Sequence, residues 1–200
     1  MEQKSIVVDT LKIRIIQALG ATNREGIANL VAWLEANDFF TSPASTKFHG
    51  AYKGGLSHHS YNVYTALSMY DRMLKLETPR ESLIIAGLLH DVCKIGAYIG
   101  DAKPYQWNPN HPKGHATLSI ARIRQFIELT DLEEKMILYH MGIYGLVEFQ
   151  DPGKEHRGEY TLRNKGMANA WYHHPIVKVM YFCDELATLE EKAEEHESNK

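Results

Sequence analysis

Leu88-Leu89-His90-Asp91-Val92-Cys93-Lys94 is the stretch on which the reading of this chain turns. An imidazole and a carboxylate stand side by side at the polar end of a run that is otherwise apolar through Leu83, Ile84, Ala86, Gly87, Leu88 and Leu89. Apolar residues at that density predict a buried helix. A buried ionised carboxylate is costly unless it is paired or bound to a cation. A metal ion resolves the conflict, and the rest of the chain supplies candidates to help hold one.

Upstream, residues from Ser5 to Leu19 carry Ile6, Leu11, Ile15, Ile16 and Leu19 at helical spacing, with Gly20 placed to stop the helix. Asn23 is positioned to cap a second helix with Ile27, Leu30, Val31 and Leu34 on one face, ending near Asn37-Asp38. Phe39 to Gly55 reads as irregular, with Pro43, Gly50 and a Gly54-Gly55 pair. From Leu56 to about Leu76 the pattern is helical again, and Pro79 sits near the start of the helix that delivers His90-Asp91. Downstream, Cys93 to Lys113 reads as a long loop, a length that often carries function. Gly114 to Leu129 reads as a helix with His115 in its first turn. Thr130-Asp131-Leu132-Glu133 is a capping-box arrangement opening another that reaches His140. Met141 to Lys165 reads as irregular, with Glu148, Asp151, Lys154, Glu155, Arg157, Glu159 and Arg163 facing solvent. Pro175 starts a last strong helix through Asp184, followed by a charged tail from Glu190 that is expected to fray. With no repeat and no convincing run of strands, the expectation is one all-α domain.

Composition narrows the function classes. The 200 residues suffice for a substantial core, and a net charge of −3 argues against a global basic field for long nucleic acid. Cys93 and Cys183, far apart, rule out a disulfide framework and suit a reducing compartment. Met1-Glu2-Gln3-Lys4-Ser5 lacks the pattern of a secretory signal, and no apolar run approaches the roughly 20 residues needed to cross a bilayer. A cytoplasmic protein without a membrane partner is expected. Histidine is the outlier, with eleven copies, several at predicted helix ends.

Six residues form the candidate ligand set: His59, His90, Asp91, His115, His140 and Asp184. Imidazole and carboxylate together suit Mn, Fe, Co, Ni or Zn better than Ca or Mg. His59, His90, Asp91 and Asp184 can hold one ion. The second oxygen of Asp91 can bridge to another ion on His115 and His140, and two ions roughly 3.5–4 Å apart activate water and clamp a phosphoryl group. Asp184 lies among Met180, Tyr181, Cys183, Leu186 and Ala187, again an apolar setting for a charge. Lys94, three residues past Asp91, is placed to neutralise a phosphate oxygen.

This pattern of a His, a His-Asp pair and a distant Asp resembles that of the HD superfamily of metal-dependent phosphohydrolases, falling here on His59, His90-Asp91 and Asp184. His115 and His140 match the two extra histidines of members that hold two metals. The segments Phe40-Thr41-Ser42-Pro43-Ala44-Ser45 and Gly54-Gly55-Leu56-Ser57-His58-His59 are similar to the HD domain of bacterial 3′-to-5′ exoribonucleases and to small stand-alone HD hydrolases. The resemblance covers about residues 38 to 190 of a single HD-type domain spanning 1–200. It implies a helical bundle around one or two divalent ions, with His49 and Tyr52 in a segment that lines the pocket in relatives.

Two departures stand out: His58 where relatives commonly carry Glu, and Cys93 where they carry Gly. The Gly-Gly-Leu spacing favours His59 over His58 as the ligand, with His58 behind it or at the surface. Cys93 is either a packing residue or a metal-activated or oxidation-sensitive thiol. His111 belongs to the loop and His173-His174 read as a helix-start pair. His156 and His196 lie in charged stretches, and Trp107 and Tyr105 can either stack a base or pin the loop to the core.

By this likeness the chain is expected to hydrolyse a phosphate ester of a nucleotide or short oligonucleotide, as a phosphomonoesterase or phosphodiesterase. Asp91 and Lys94 are then the catalytic residues, with Lys94, His49 and Tyr52 on the substrate. The alternatives are a di-iron oxygenase on the same scaffold and a non-catalytic nucleotide-binding sensor. The sequence carries no signal for oligomeric state.

Overall fold

The computed structural model describes residues 2–142 and 157–198, with side chains described over 10–142 and 165–193. Among these the chain is all-α: α1 (Glu2–Gly20), α2 (Ile27–Ala36), α3 (Gly55–Leu74), α4 (Arg80–Leu89), α5 (His115–Ile123), α6 (Asp131–Leu138), α7 (Arg157–His173) and α8 (Pro175–Ser198). Helix α3 is the central element, packed on both α4 and α8, while α6 touches α4, α5 and α8. The shared core takes Val63 and Leu67 from α3, Ile84 and Leu88 from α4, Ile137 from α6, and Val177, Met180, Cys183 and Ala187 from α8. Gly87 permits the α3–α4 approach, since a Cβ there would lie 2.8 Å from the backbone of Tyr64.

Several elements differ from the sequence expectation, each for a physical reason. Asn23 does not cap α2. It takes a positive φ in the connection, and Gly26, at φ 81°, occupies the N-cap of the helix. The loop after Cys93 contains a minimal antiparallel pair, Tyr98–Ile99 with Gln106–Trp107, whose two-residue strands are too short to give periodicity. Helix α5 ends at Ile123 rather than Leu129, and the predicted irregular region is already helical from Arg157. The tail beyond Glu190 does not fray at once: α8 continues to Ser198, and Glu191 is buried. The expected solvent-facing charges among 143–164 lie outside the described side chains. No described helix is long and apolar enough to cross a membrane.

Candidate metal centre

Helix ends and one mid-helix turn bring the site together. Gly54, at φ 87°, precedes α3, and Gly55 packs so closely on Gly50 that a Cβ would lie 1.9 Å from the Gly50 carbonyl oxygen. That turn starts α3 where His59 falls in its second turn, fully buried. Helix α4 stops at Leu89, and Asp91 leaves it with φ −108° to begin a single 3-10 turn, Val92–Lys94. Helix α5 steadies this turn. Arg122 donates to the carbonyls of Val92, Cys93 and Ile95 at 2.6, 3.1 and 3.2 Å, and Ser119 Oγ accepts from the Cys93 amide.

Asp91 sits at the centre, 1% exposed. Its Oδ2 lies 3.6 Å from His59 Nε2, 3.5 Å from His90 Nε2 and 2.7 Å from Lys94 Nζ. Its Oδ1 lies 2.9 Å from His115 Nε2 and 3.6 Å from His140 Nε2. Asp184 Oδ1 closes the first group, 3.0 Å from His59 Nε2 and 3.7 Å from His90 Nε2. The two oxygens of one carboxylate therefore face two separate sets of imidazoles.

The far nitrogen of each ring is also engaged. His90 Nδ1 meets the Gly87 carbonyl at 3.0 Å and His140 Nδ1 meets that of Ile137 at 2.6 Å. A carbonyl only accepts, so both rings carry a proton on Nδ1 and turn Nε2 inward. His59 Nδ1 faces Glu191 Oε1 at 3.2 Å, and His115 Nδ1 faces Cys93 Sγ at 3.2 Å. Ligating histidines are oriented in this way by partners on the other ring nitrogen.

Charge follows the geometry. Burial opposes ionisation of Asp91, but Lys94, then His90 and His115, hold it well below the usual carboxylate range. For Asp184 burial is likewise outweighed, first by His59, which hydrogen-bonds to it, and then by the nearby His90 imidazole. Burial disfavours a charged His59, yet Asp184 and Glu191 push its pKa up to about 10. His49 moves down to about 4 through burial and the nearby charges of Lys94 and His59.

The donor set fits a divalent cation. His90 Nε2 is buried with no hydrogen-bonding partner, and His115 Nε2 and His140 Nε2 approach to 3.2 Å. Ligand atoms of His59, His90 and Asp91 lie within 4.8 Å of one another, as do those of Asp91, Cys93 and His115, and those of His49, His59 and Glu191. Mixed imidazole and carboxylate donors suit the ions from Mn to Zn.

A cavity of about 1070 Å³ opens onto this cluster, lined by Phe48, His49, Lys94, Trp107, His115 and Asp184 among others. All six expected ligands converge, and Lys94 and His49 reach the same space. Tyr52 stands outside it, 38% exposed, with its hydroxyl on His58 Nδ1. That contact also accounts for His58, which leaves the inward position to His59. Trp107 and His111 form part of the cavity wall, their rings 5.4 Å apart. Tyr105 is buried, and its backbone amide bonds to Thr46, which ties the loop down. His173 closes α7 instead of opening the next helix, and only His174 stands before Pro175, so the expected helix-start pair is split between two helices. His156 and the side chain of His196 lie outside the described residues.

Sequence reasoning missed Glu191, Asn62 and Arg122. The signal for Glu191 was present: Val177, Met180, Asp184, Ala187 and Glu191 follow the 3–4 spacing of one helix face, masked by the charges around the last of them.

A family model described as HD domain matches residues 56–170, more than half of the chain. That span contains His59, His90, Asp91, His115 and His140, with Asp184 beyond its end. No curated protein and no solved structure matches the chain.

Proposed function

The chain belongs to the HD domain family of metal-dependent phosphohydrolases, and from that premise we propose that it hydrolyses a phosphate ester of a nucleotide or short oligonucleotide. The observation that carries the reading is Asp91, whose Oδ2 faces His59 and His90 while its Oδ1 faces His115 and His140. His59, His90, Asp91 and Asp184 would hold one divalent ion, and Asp91, His115 and His140 a second. Such ions supply Lewis-acid charge and a water that ionises near neutral pH.

The chain's own residues do the rest. Lys94 lines the cavity and remains charged, because Asp91 outweighs the cost of its burial. Its ammonium can pair with a non-bridging phosphate oxygen as negative charge builds there. His49, neutral at physiological pH, offers a ring nitrogen for hydrogen bonding beside the scissile group. Trp107 and Phe48 give a wall on which a base can stack, and Lys113 and Lys192 at the cavity surface suit further phosphates. The net charge of −3 favours small substrates over long nucleic acid. The proposed kinship to exoribonuclease-type and stand-alone HD hydrolases rests on the Gly54-Gly55 to His59 segment.

The test is turnover of a nucleotide panel and a chromogenic phosphodiester by purified protein supplied with Mn or Co. Activity that disappears in Asp91→Asn and falls about 10²–10³-fold in Lys94→Met is expected. Turnover that survives Asp91→Asn contradicts the proposal.

A further inference from the structure

Helix α8 reaches the site twice, at Asp184 and, two turns later, at Glu191. Glu191 is 2% exposed. Its Oε1 meets His59 Nδ1 at 3.2 Å and accepts from Asn62 Nδ2 at 3.1 Å. Both partners come from one face of α3, three residues apart. Its Oε2 is buried without a hydrogen-bonding partner. Compared with an apolar residue on the same stripe as Val177, Met180 and Ala187, a buried carboxylate is a poor stabiliser. Its presence asks for a role beyond joining two helices.

The four inward-facing imidazoles supply the comparison. His90 and His140 are backed by carbonyls, and His115 by a thiol. Of these four contacts, that of His59 is the one made by a carboxylate. A carboxylate on Nδ1 holds the proton there, fixes the ring plane and makes the opposite nitrogen a stronger donor. The opposite nitrogen is the one 3.0 Å from Asp184 and 3.6 Å from Asp91.

We infer that Glu191 is a positioning residue of the metal centre, which acts through His59 to set the tautomer and donor strength that the cation meets. Asn62 holds the carboxylate in line for this task. The inference rests on the metal-centre reading above, and it adds a residue outside the span that the family model matches.

The experiment is titration of chelator-stripped protein with Co²⁺, followed by the visible absorption of the bound ion, alongside thermal melting without metal. Glu191→Gln keeps the size, an acceptor oxygen and the helix-to-helix tie while removing the charge. Cobalt affinity is expected to drop about 10–100-fold in Glu191→Gln while the metal-free protein still folds and melts cooperatively. Glu191→Leu, which lacks any acceptor, is expected to lose more affinity, and Glu191→Asp to lose less than Leu. Wild-type cobalt affinity in Glu191→Gln overturns the inference and leaves the metal centre standing. So does a melting-temperature loss with affinity intact, which marks a purely structural tie. Failure of wild-type protein itself to take up cobalt overturns the metal centre, and the role of Glu191 with it.

Discussion

His59 lies between two carboxylates, Glu191 on Nδ1 and Asp184 on Nε2, and its protonation therefore couples to folding in the metal-free protein. Its pKa rises from 6.5 to about 10, so the stability it contributes is complete below the unfolded value and is lost as pH climbs towards the folded one. Asp91 and Asp184 shift the opposite way, from 3.8 to well below, and their contribution is lost only on acidification. Metal-free protein thus loses site-derived stability on going from about pH 6.5 to about pH 9. A divalent ion competes with the His59 proton, and its affinity rises over the same range. The difference in melting temperature between metal-loaded and chelated protein is expected to widen from about pH 6 to about pH 9. A difference that stays constant or narrows contradicts this coupling. At this scale the sequence is legible where a polar residue interrupts an apolar pattern, as at His90-Asp91 and Asp184. Glu191 escapes because its neighbours Glu190, Lys192, Glu194 and Glu195 make one buried charge look like a solvated tail.

Elements hold their positions through a few buried polar junctions, of which Glu133 is the most connected. It closes the capping box with Thr130 at the start of α6, pairs with Arg24 before α2, and accepts from Ser82 Oγ in α4 at 2.8 Å. Glu133 has no exposed surface, so its removal takes the carboxylate from Arg24, leaves Ser82 Oγ without its acceptor and uncaps the helix that ends beside His140. Glu133→Ala is expected to destabilise the fold by about 3–5 kcal/mol in chemical denaturation. A loss under about 1 kcal/mol would show that this junction does not organise the bundle. The capping box was readable because its two side chains are three residues apart in sequence. The Arg24 and Ser82 contacts were not, since they join residues 109 and 51 positions apart. Local reading also misplaced the start of α2. Asn23 has the right side chain for a cap, but Gly26 fits against the Phe126 carbonyl, where a Cβ would lie 1.9 Å away. That constraint comes from the tertiary fold and leaves no local mark.

Across the molecule, five helices deliver polar groups to one point: α3 with His59, α4 with His90-Asp91, α5 with His115, α6 with His140 just past its end, and α8 with Asp184. Apolar periodicity made the helices legible, and charges out of place in that pattern made the cluster legible. What remained hidden was the support behind the cluster, because Arg122 clamping three carbonyls and Cys93 facing His115 look like ordinary surface and core choices in one dimension. The central claim is that the carboxylate of Asp91 is shared between two cations. Anomalous scattering from crystals of the protein as isolated, recorded across the Mn, Fe, Co, Ni and Zn edges, tests it most directly. Two peaks roughly 3.5–4 Å apart are expected, one beside each oxygen of Asp91. A map with a single peak, or with none in reach of Asp91, contradicts it.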